Sequence, residues 1–231
     1  MREIVLDTET TGFDPKDGHR LIEIGCLELH HYVPTGVTFH QYLNPERDVP
    51  ADAVAVHGLT TEFLTDKPLM AEVVEKFLDF IADTTLVIHN AEFDLKFLNA
   101  ELKRLGFPAL QNPVIDTVHM ARQKYPGQPA NLDALCRRFK IDHTNRTLHG
   151  ALLDAGLLAE VYLEMRGGRQ QGLALKEDDA SLRAEQRSVT SKTTYRTHHA
   201  RLSVVSDLER AAHENLVAAL GEGAIWKKYK S

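Results

Sequence analysis

Two acidic side chains near the N-terminus have a spacing that could support chemistry. Asp7 and Glu9 lie at the end of the apolar segment 3–8, which the sequence predicts to be a buried strand. Alternate side chains of a strand share one face, so both carboxylates would project together, with Cα atoms roughly 6.6 Å apart. Such a pair repels and loses hydration, and a bound divalent cation would relieve both costs. Solvated acids at a strand end are the alternative interpretation.

A further carboxylate follows a second apolar segment. Residues 86–89 predict a short buried strand, and Asp94 stands early in the helix predicted to run from there to about Leu105. The crevice where strands end and helices begin is where α/β sheets bind ligands. Asp94 could equally complement the helix dipole without taking part in chemistry.

The third candidate is a histidine five residues before an aspartate. Five positions on an α-helix rotate the chain by about 500°, which would leave His149 and Asp154 roughly 140° apart. For the two to act together, His149 must lie on a loop and Asp154 must face inward from a helix predicted over 150–165. A histidine near a helix start is otherwise a capping or surface residue.

These acids and the histidine come from a strand end, a strand-to-helix junction and a late loop and helix. All of them could meet at one edge of one sheet. Ligation by oxygen favours hard cations, Mg²⁺ or Mn²⁺, over zinc. The combination therefore predicts a divalent-cation site that no single motif would establish.

The remaining pattern predicts the elements that must position this site. Residues 20–30 alternate apolar and polar side chains, which indicates a half-buried strand, and 36–43 read as a third strand joined to it through a turn at 34–36. Helical spacing or capping signals mark three further segments: 69–81, 132–139 after Asn131, and 150–165. Antiparallel strands followed by strands alternating with helices predict an α/β fold, a mixed sheet with helices on both faces.

Charge is distributed unevenly. Residues 1–165 carry 15 Lys and Arg against 25 Asp and Glu, whereas residues 166–231 carry 12 against 8. An acidic body argues against gripping long nucleic acid, which needs a basic stripe. If the substrate is a polyanion, metal ions must mediate the contact.

The rest of the composition predicts a cytoplasmic protein without membrane contact. No apolar run approaches the roughly 20 residues of a membrane helix, and the N-terminus leads directly into a strand, leaving no room for a signal peptide. Cys26 and Cys136 form neither a disulfide framework nor a zinc motif, so we expect two reduced core thiols.

The C-terminal quarter differs in character from the body. Residues 169–200 contain few large apolar side chains and predict a flexible linker, whereas 201–220 regain helical spacing before Trp226 and Tyr229. A short amphipathic helix with an aromatic end cannot bury its apolar face alone, which favours a docking segment over 201–231. Folding back onto its own domain is the alternative.

Together these motifs resemble the DEDD superfamily of 3′–5′ exonucleases, in its histidine branch. The resemblance rests on Asp7-Thr-Glu9, His89 to Asp94, and His149 with Asp154. Four further stretches are similar to proofreading subunits of bacterial replicative DNA polymerases: Ile22 to Gly25, Val56 to Gly58, Asn131 to Cys136, and Arg146 to Ala155. The similarity covers an exonuclease domain at residues 1–168 and, more loosely, the linker and tail.

The resemblance implies a ribonuclease-H-like fold, a mixed five-stranded sheet with the first strand central. It implies two divalent cations, one held by Asp7, Glu9 and Asp154 and the second bridged by Asp7 and supported by Asp94. His149 would be the general base. The residues implied to contact the substrate are Asp7, Glu9, Asp52, His57 and Asp154. Position 52 commonly holds Glu in this family, so Asp52 is a shorter substitute.

The implied function is metal-dependent removal of mismatched 3′-terminal nucleotides from single-stranded or frayed DNA, as a polymerase subunit. The implied partners are the polymerase alpha subunit through 201–231, the beta sliding clamp through Gln170–Leu175, and a theta-like accessory subunit. RNA 3′-end trimming by the same superfamily and a non-catalytic, polymerase-stabilising subunit are the alternatives. A tail built for RNA would be more basic and richer in stacking aromatics.

Overall fold

A five-stranded mixed sheet forms the centre of the first unit. The computed structural model describes residues 1–144, 146, 148–168 and 205–220. The strands are β1 (Arg2–Thr10), β2 (Leu21–His30), β3 (Val33–Tyr42), β4 (Thr85–Ile88) and β5 (Val114–Asp116). Their order is β3-β2-β1-β4-β5, with β1–β2 and β2–β3 antiparallel and β1–β4 and β4–β5 parallel. The predicted mixed sheet with a central first strand is confirmed.

Helices cover both faces of this sheet. They are α1 (Ala51–His57), α2 (Thr61–Thr65), α3 (Met70–Ile81), α4 (Ala91–Arg104), α5 (Thr117–Lys124), α6 (Leu132–Phe139) and α7 (Ala151–Met165). Four of the seven were predicted from spacing, and the Asn131 side chain caps α6 as expected, accepting a hydrogen bond from the Ala134 amide. Helices α1, α2 and α5 were not predicted from the sequence.

The central strand divides the core into two halves. Ile4 and Leu6 pack with α3 and α4, whereas Val5 packs with α6 and α7 on the opposite face. The two cysteines are buried in different halves, as expected for core thiols. Because successive side chains of a strand point to opposite faces of the sheet, Asp7 and Glu9 lie on the same face of β1 as Val5, toward α7, and Thr8 faces α4.

The predicted turn between β2 and β3 is wrong. The turn is formed by His31 and Tyr32, whose φ angles are 51° and 68°, and residues 34–36 lie inside β3. Two successive left-handed residues match the twist of the flanking strands, and this turn usually contains Asn and Gly. Pro34 is tolerated because β3 is an edge strand.

The second unit begins at Lys176 and is described between 205 and 220. There Asp207–Ala219 forms helix α8, whose start is closed by a reciprocal Ser206–Glu209 cap. The helical spacing predicted over 201–220 is confirmed for this part. The linker 169–200, with Gln170–Leu175, and the aromatic residues Trp226 and Tyr229 lie outside the described residues. No helix in the described part of the chain is long and apolar enough to traverse a lipid bilayer.

Candidate active site

The first two acids stand where β1 leaves the core. Asp7 pairs with Gly25 of β2, and Glu9 pairs with Glu23. A Cβ atom at Gly25 would lie 2.3 Å from the carbonyl carbon of Ala151 and from the amide nitrogen of Leu152. The absence of a side chain at Gly25 therefore lets the first turn of α7 pack directly on the β2 backbone. This contact brings Asp154, which is only 2% exposed, to the acids of β1.

Asp94 reaches the same place from the other face of β1. It is buried in the first turns of α4, and its Oδ1 atom accepts a hydrogen bond of 2.7 Å from the Thr8 hydroxyl. Thr8 lies between Asp7 and Glu9 in sequence, so β1 positions both its own carboxylates and that of α4. All four acids line one cleft of about 460 Å³.

His149 lies on the loop before α7, and Asp154 faces inward from the helix. The structure thus places both residues as their five-residue spacing required. The His149 amide donates to the Val56 carbonyl at 3.1 Å, which ties this loop to α1. Its Nδ1 atom lies 3.4 Å from Oδ2 of Asp154, and its side chain is 46% exposed. Potential ligand atoms of Glu9, His149 and Asp154 all lie within 4.8 Å of one another.

Burial makes Asp7, Glu9 and Asp94 hard to ionise. It is the main cause that raises the pKa of Glu9 from 4.5 to about 8, with the carboxylates of Glu23, Asp154 and Asp94 adding to the effect. Burial also raises the pKa of Asp94 to about 7 and holds that of Asp7 well above its ordinary value. A cluster of oxygen donors that is costly to charge without a counter-ion fits a hard divalent cation.

Arg146 is a charged residue of the cleft that was not predicted from the sequence as a site residue. Arg146 donates two hydrogen bonds of 2.6 Å to the Asp154 carboxylate and one of 3.0 Å to Nδ1 of His149. Its positive charge opposes the rise in the pKa values of Asp7 and Glu9. Arg146 is the single Lys or Arg within residues 141–165, the segment that also contains His149 and Asp154, and this is the signal that could have indicated it.

A neighbouring cavity of about 310 Å³ shares Glu9 with the cleft. Asp52 lines it from the exposed side of α1, and His57 lines it from a buried position. Nδ1 of His57 accepts a hydrogen bond of 3.0 Å from the Leu59 amide, while its Nε2 atom has no hydrogen-bond partner among the described residues. Phe13, which is 87% exposed, borders both spaces and was not predicted as a site residue.

Sequence comparison places this arrangement in a known family. A family model described as RNase_T, Exonuclease, matches residues 4–162. DNA polymerase III subunit epsilon of Rickettsia felis is 56% identical over 179 residues, covering 76% of this chain and 78% of that protein. The Salmonella typhimurium subunit is 43% identical over 237 residues, covering 98% and 97%. The chain belongs to the exonuclease family, among the epsilon subunits of DNA polymerase III.

Solved exonucleases share the fold of this epsilon-family chain. Exonuclease X, in complex with 5′-overhanging duplex DNA, has a TM-score of 0.58 at 24% identity, covering 71% of this chain and 90% of that one. The nuclease domain of 3′hExo, a DEDDh family member bound to rAMP, has a TM-score of 0.62 at 20% identity and the same coverage. Escherichia coli exonuclease I, in complex with a dT13 oligonucleotide, has a TM-score of 0.64 at 17% identity over 72% and 41%.

Membership in the epsilon family establishes the activity. The chain is a 3′–5′ exonuclease that removes mismatched nucleotides from DNA within a DNA polymerase III complex, and exonucleases of this fold use divalent metal ions. The carboxylate-rich cleft provides the oxygen donors that such an activity requires.

The raised pKa values predict how the stability of the metal-free protein depends on pH. An acid with a higher pKa in the folded state binds more protons when folded, so stability is lost as pH rises from about 4.5 to about 8, the folded pKa of Glu9. His57 and His89, whose pKa values are lowered mainly by burial, act in the opposite direction, but only below about pH 6.5. We therefore expect the melting temperature in chelator to fall between about pH 7 and about pH 8.5.

Thermal unfolding of the wild type and a Glu9→Gln variant measures this effect, because the histidine contributions cancel in the comparison. The variant should show a flatter pH profile, and Mn²⁺ should flatten that of the wild type. Identical profiles for the two proteins in chelator would contradict the argument.

Proposed function

We propose that the cleft hydrolyses the 3′-terminal phosphodiester of a frayed DNA strand with two divalent cations, Mg²⁺ or Mn²⁺. Asp7, Glu9 and Asp154 would hold the first cation, and Asp7 and Asp94 the second. The observation that carries this proposal is the convergence of four carboxylates, contributed by β1, α4 and α7, on one cleft. Bound cations would stabilise charge on the attacking and leaving oxygens.

His149 would act as the general base. Its half-exposed ring stands at the mouth of the cleft, where a water molecule and a phosphate could reach it, while its backbone is fixed to α1. Histidine is suited to proton transfer near neutral pH, and a positioned base contributes about 10²–10⁴-fold.

Replacing His149 with Ala should lower single-turnover digestion of single-stranded DNA by about 10²–10⁴-fold, because the attacking water loses its proton acceptor. Mn²⁺ binding, measured by titration calorimetry, and DNA binding should persist. His143→Ala is the matched control, since His143 lies on the same loop and its Nδ1 atom faces the Ile141 carbonyl outside the cleft. An unchanged rate for His149→Ala would remove this residue from the mechanism.

The terminal nucleotide would occupy the cavity beside the cleft. The unpartnered Nε2 atom of His57 supports this assignment, since a buried polar atom without a partner is costly unless a ligand supplies one. Asp52 would contact the same nucleotide from α1, and Asp7, Glu9 and Asp154 would face its phosphate through the cations. Mismatched termini unpair at less cost than matched ones, so selectivity can come from the DNA itself.

Digestion of a 3′-mismatched primer tests this function most directly. We expect rapid digestion with Mg²⁺ or Mn²⁺, slower digestion of the matched primer, and none in chelator. An RNA oligonucleotide of the same sequence separates DNA proofreading from RNA trimming. Preferential loss of RNA would contradict the proposed substrate.

Three segments of the chain have separate roles in this proposal. Residues 1–168 would be the exonuclease domain, 169–200 a flexible linker, and 201–231 the segment that docks on the polymerase alpha subunit in the cytoplasm. The exposed leucines of α8, Leu208 and Leu216, support docking. Tethering raises the effective concentration of the exonuclease at the primer end.

Two further contacts belong to this proposal. Gln170-Gln-Gly-Leu-Ala-Leu175 is similar to peptides that bind the beta sliding clamp, although it lacks their usual final Phe. A variant with Ala at positions 170, 173 and 175 should lose clamp binding in a pull-down, and full retention would contradict the assignment. A theta-like subunit would be a separate partner, detectable by co-purification.

A further inference from the structure

Arg146 occupies an unusual position for a basic residue. Its side chain is only 8% exposed, and its guanidinium contacts three groups at once: Asp154, Asp133 and His149. Of the residues that line the cleft in the described part of the chain, it is the only Lys or Arg. Where no metal is bound, the positive charge of Arg146 therefore offsets part of the negative charge of the four carboxylates.

Of the three contacts, the one with Asp154 is formed by two hydrogen bonds. Nε and Nη2 of Arg146 donate to the two oxygens of this carboxylate, each at 2.6 Å, in the parallel geometry of a strong charged pair. Asp154 is one of the proposed metal ligands. A divalent cation held there would stand beside the guanidinium, and the two positive charges would repel each other in a partly buried site.

Asp133 could remain paired with the guanidinium after it leaves Asp154. Nη1 of Arg146 donates to Oδ1 of Asp133, whose side chain is 47% exposed at the edge of the cleft. A rotation outward would break the contacts with Asp154 and His149 but keep the contact with Asp133, so the charge would stay paired. The same rotation would free Nδ1 of His149, which accepts from Nη2 of Arg146.

We propose that Arg146 is a positioning residue that acts as a displaceable counter-ion: it holds Asp154 and His149 in place without metal and yields Asp154 to the incoming divalent cation. Asp133 receives the displaced guanidinium. The inference rests on the metal ligands assigned under the proposed function. It predicts that Arg146 competes with metal, whereas a purely structural arginine would support metal binding.

Calorimetric titration of Mn²⁺ into the full-length, metal-free protein, without DNA, tests this competition. Arg146→Gln should tighten Mn²⁺ binding by about tenfold, a size typical of changes next to metal ligands. Asp133→Asn should weaken it several-fold, because the displaced guanidinium would no longer have a negatively charged partner. Arg20→Gln is the matched control: it removes an arginine bonded to Glu101 at 2.6 and 3.0 Å outside the cleft and should leave Mn²⁺ binding unchanged.

Thermal unfolding gives an independent readout. Arg146→Gln should lower the melting temperature in chelator by more than it does in saturating Mn²⁺, since metal replaces the missing charge, whereas Arg20→Gln should lower both equally. Arg146→Lys, which keeps the charge but cannot span both oxygens of Asp154, should tighten Mn²⁺ binding to a smaller extent, and it carries the test if the Gln variant does not fold.

Mn²⁺ binding to Arg146→Gln or Arg146→Lys that is unchanged or weaker than that of the wild type would overturn the proposal and leave the metal ligands standing. Failure of the wild type to bind Mn²⁺ would overturn the metal ligands and, with them, this inference. The two failures are therefore distinguishable.

Discussion

An Asp7→Asn variant should lose exonuclease activity while its metal-free form becomes more resistant to heat. Asp7 is proposed to ligate both cations. The decrease in activity of this variant should therefore exceed the decrease of about 10²–10⁴-fold that follows removal of a general base. Its pKa is held well above the ordinary value by burial and by Asp94, Glu9 and Asp154. A neutral amide removes that repulsion, so the melting temperature in chelator should rise at pH values where Asp7 is ionised.

Asp14→Asn is the matched control for this experiment. Asp14 lies seven residues along the chain, outside the cleft, where Lys96 donates a hydrogen bond of 2.6 Å to it and lowers its pKa. Neutralising Asp14 should leave activity intact and should not raise the melting temperature. Normal digestion by Asp7→Asn would mean that the active site is wrongly located, and a lower melting temperature in chelator would contradict the repulsion argument.

A Gly25→Ala variant should be strongly destabilised. The new Cβ atom would collide with the backbone of Ala151 and Leu152 at 2.3 Å, and a backbone cannot move aside as a side chain can. We expect a loss of at least about 3 kcal/mol in the free energy of unfolding. Because Asp154 lies in the first turn of α7, displacement of that turn should also lower digestion by at least about 10²-fold.

The glycine within α7 provides the control. An added Cβ at Gly156 would meet nothing within 4 Å. Gly156→Ala should therefore stabilise the helix by about 0.5–1 kcal/mol and leave digestion unchanged. Urea unfolding and single-turnover digestion of both variants measure the two effects. Wild-type stability of Gly25→Ala would show that α7 does not need its close contact with β2.

Much of the geometry of the candidate site could be predicted from sequence, because the periods of strands and helices fix the directions of their side chains. Asp7 and Glu9 share a face since they are two residues apart on a strand, and His149 and Asp154 could only meet across a loop-to-helix boundary. The direction of the Thr8 side chain could have been predicted by the same alternation, but the hydrogen bond that its hydroxyl donates to Asp94 could not. That contact depends on how α4 packs, which the sequence alone does not specify.

The missed helices are short or weakly patterned. Helix α1 has seven residues and no side-chain cap, and α2 has five, so neither is stable without tertiary packing. Their stability comes from a small core that includes Ile22, Val49 and Leu64. Helix α5 did carry a local signal, because the Asp116 side chain accepts from the amides of Val118 and His119 as an N-cap.

The turn at His31–Tyr32 was missed for a different reason. Its residues lack the Gly or Asn that usually marks a turn with positive φ, while Pro34 and Gly36, which do mark turns, lie inside an edge strand. Residues that usually form turns were therefore present, but a few positions after the turn itself. The pairing of His30 with Val33, which positions this turn, is a property of the strand register.

The backbone hydrogen bond from the His149 amide to the Val56 carbonyl limits the insertions and deletions that the connection before α1 can accept. Helix α1 supplies Val56, and the segment 43–50 connects it to β3. This hydrogen bond does not depend on the side chain at position 56, because the acceptor is a main-chain carbonyl, but it does depend on the position of α1. An inserted or deleted residue in this connection would move the carbonyl and, with it, the histidine. Surface connections usually tolerate such length changes, but this one does not have that freedom.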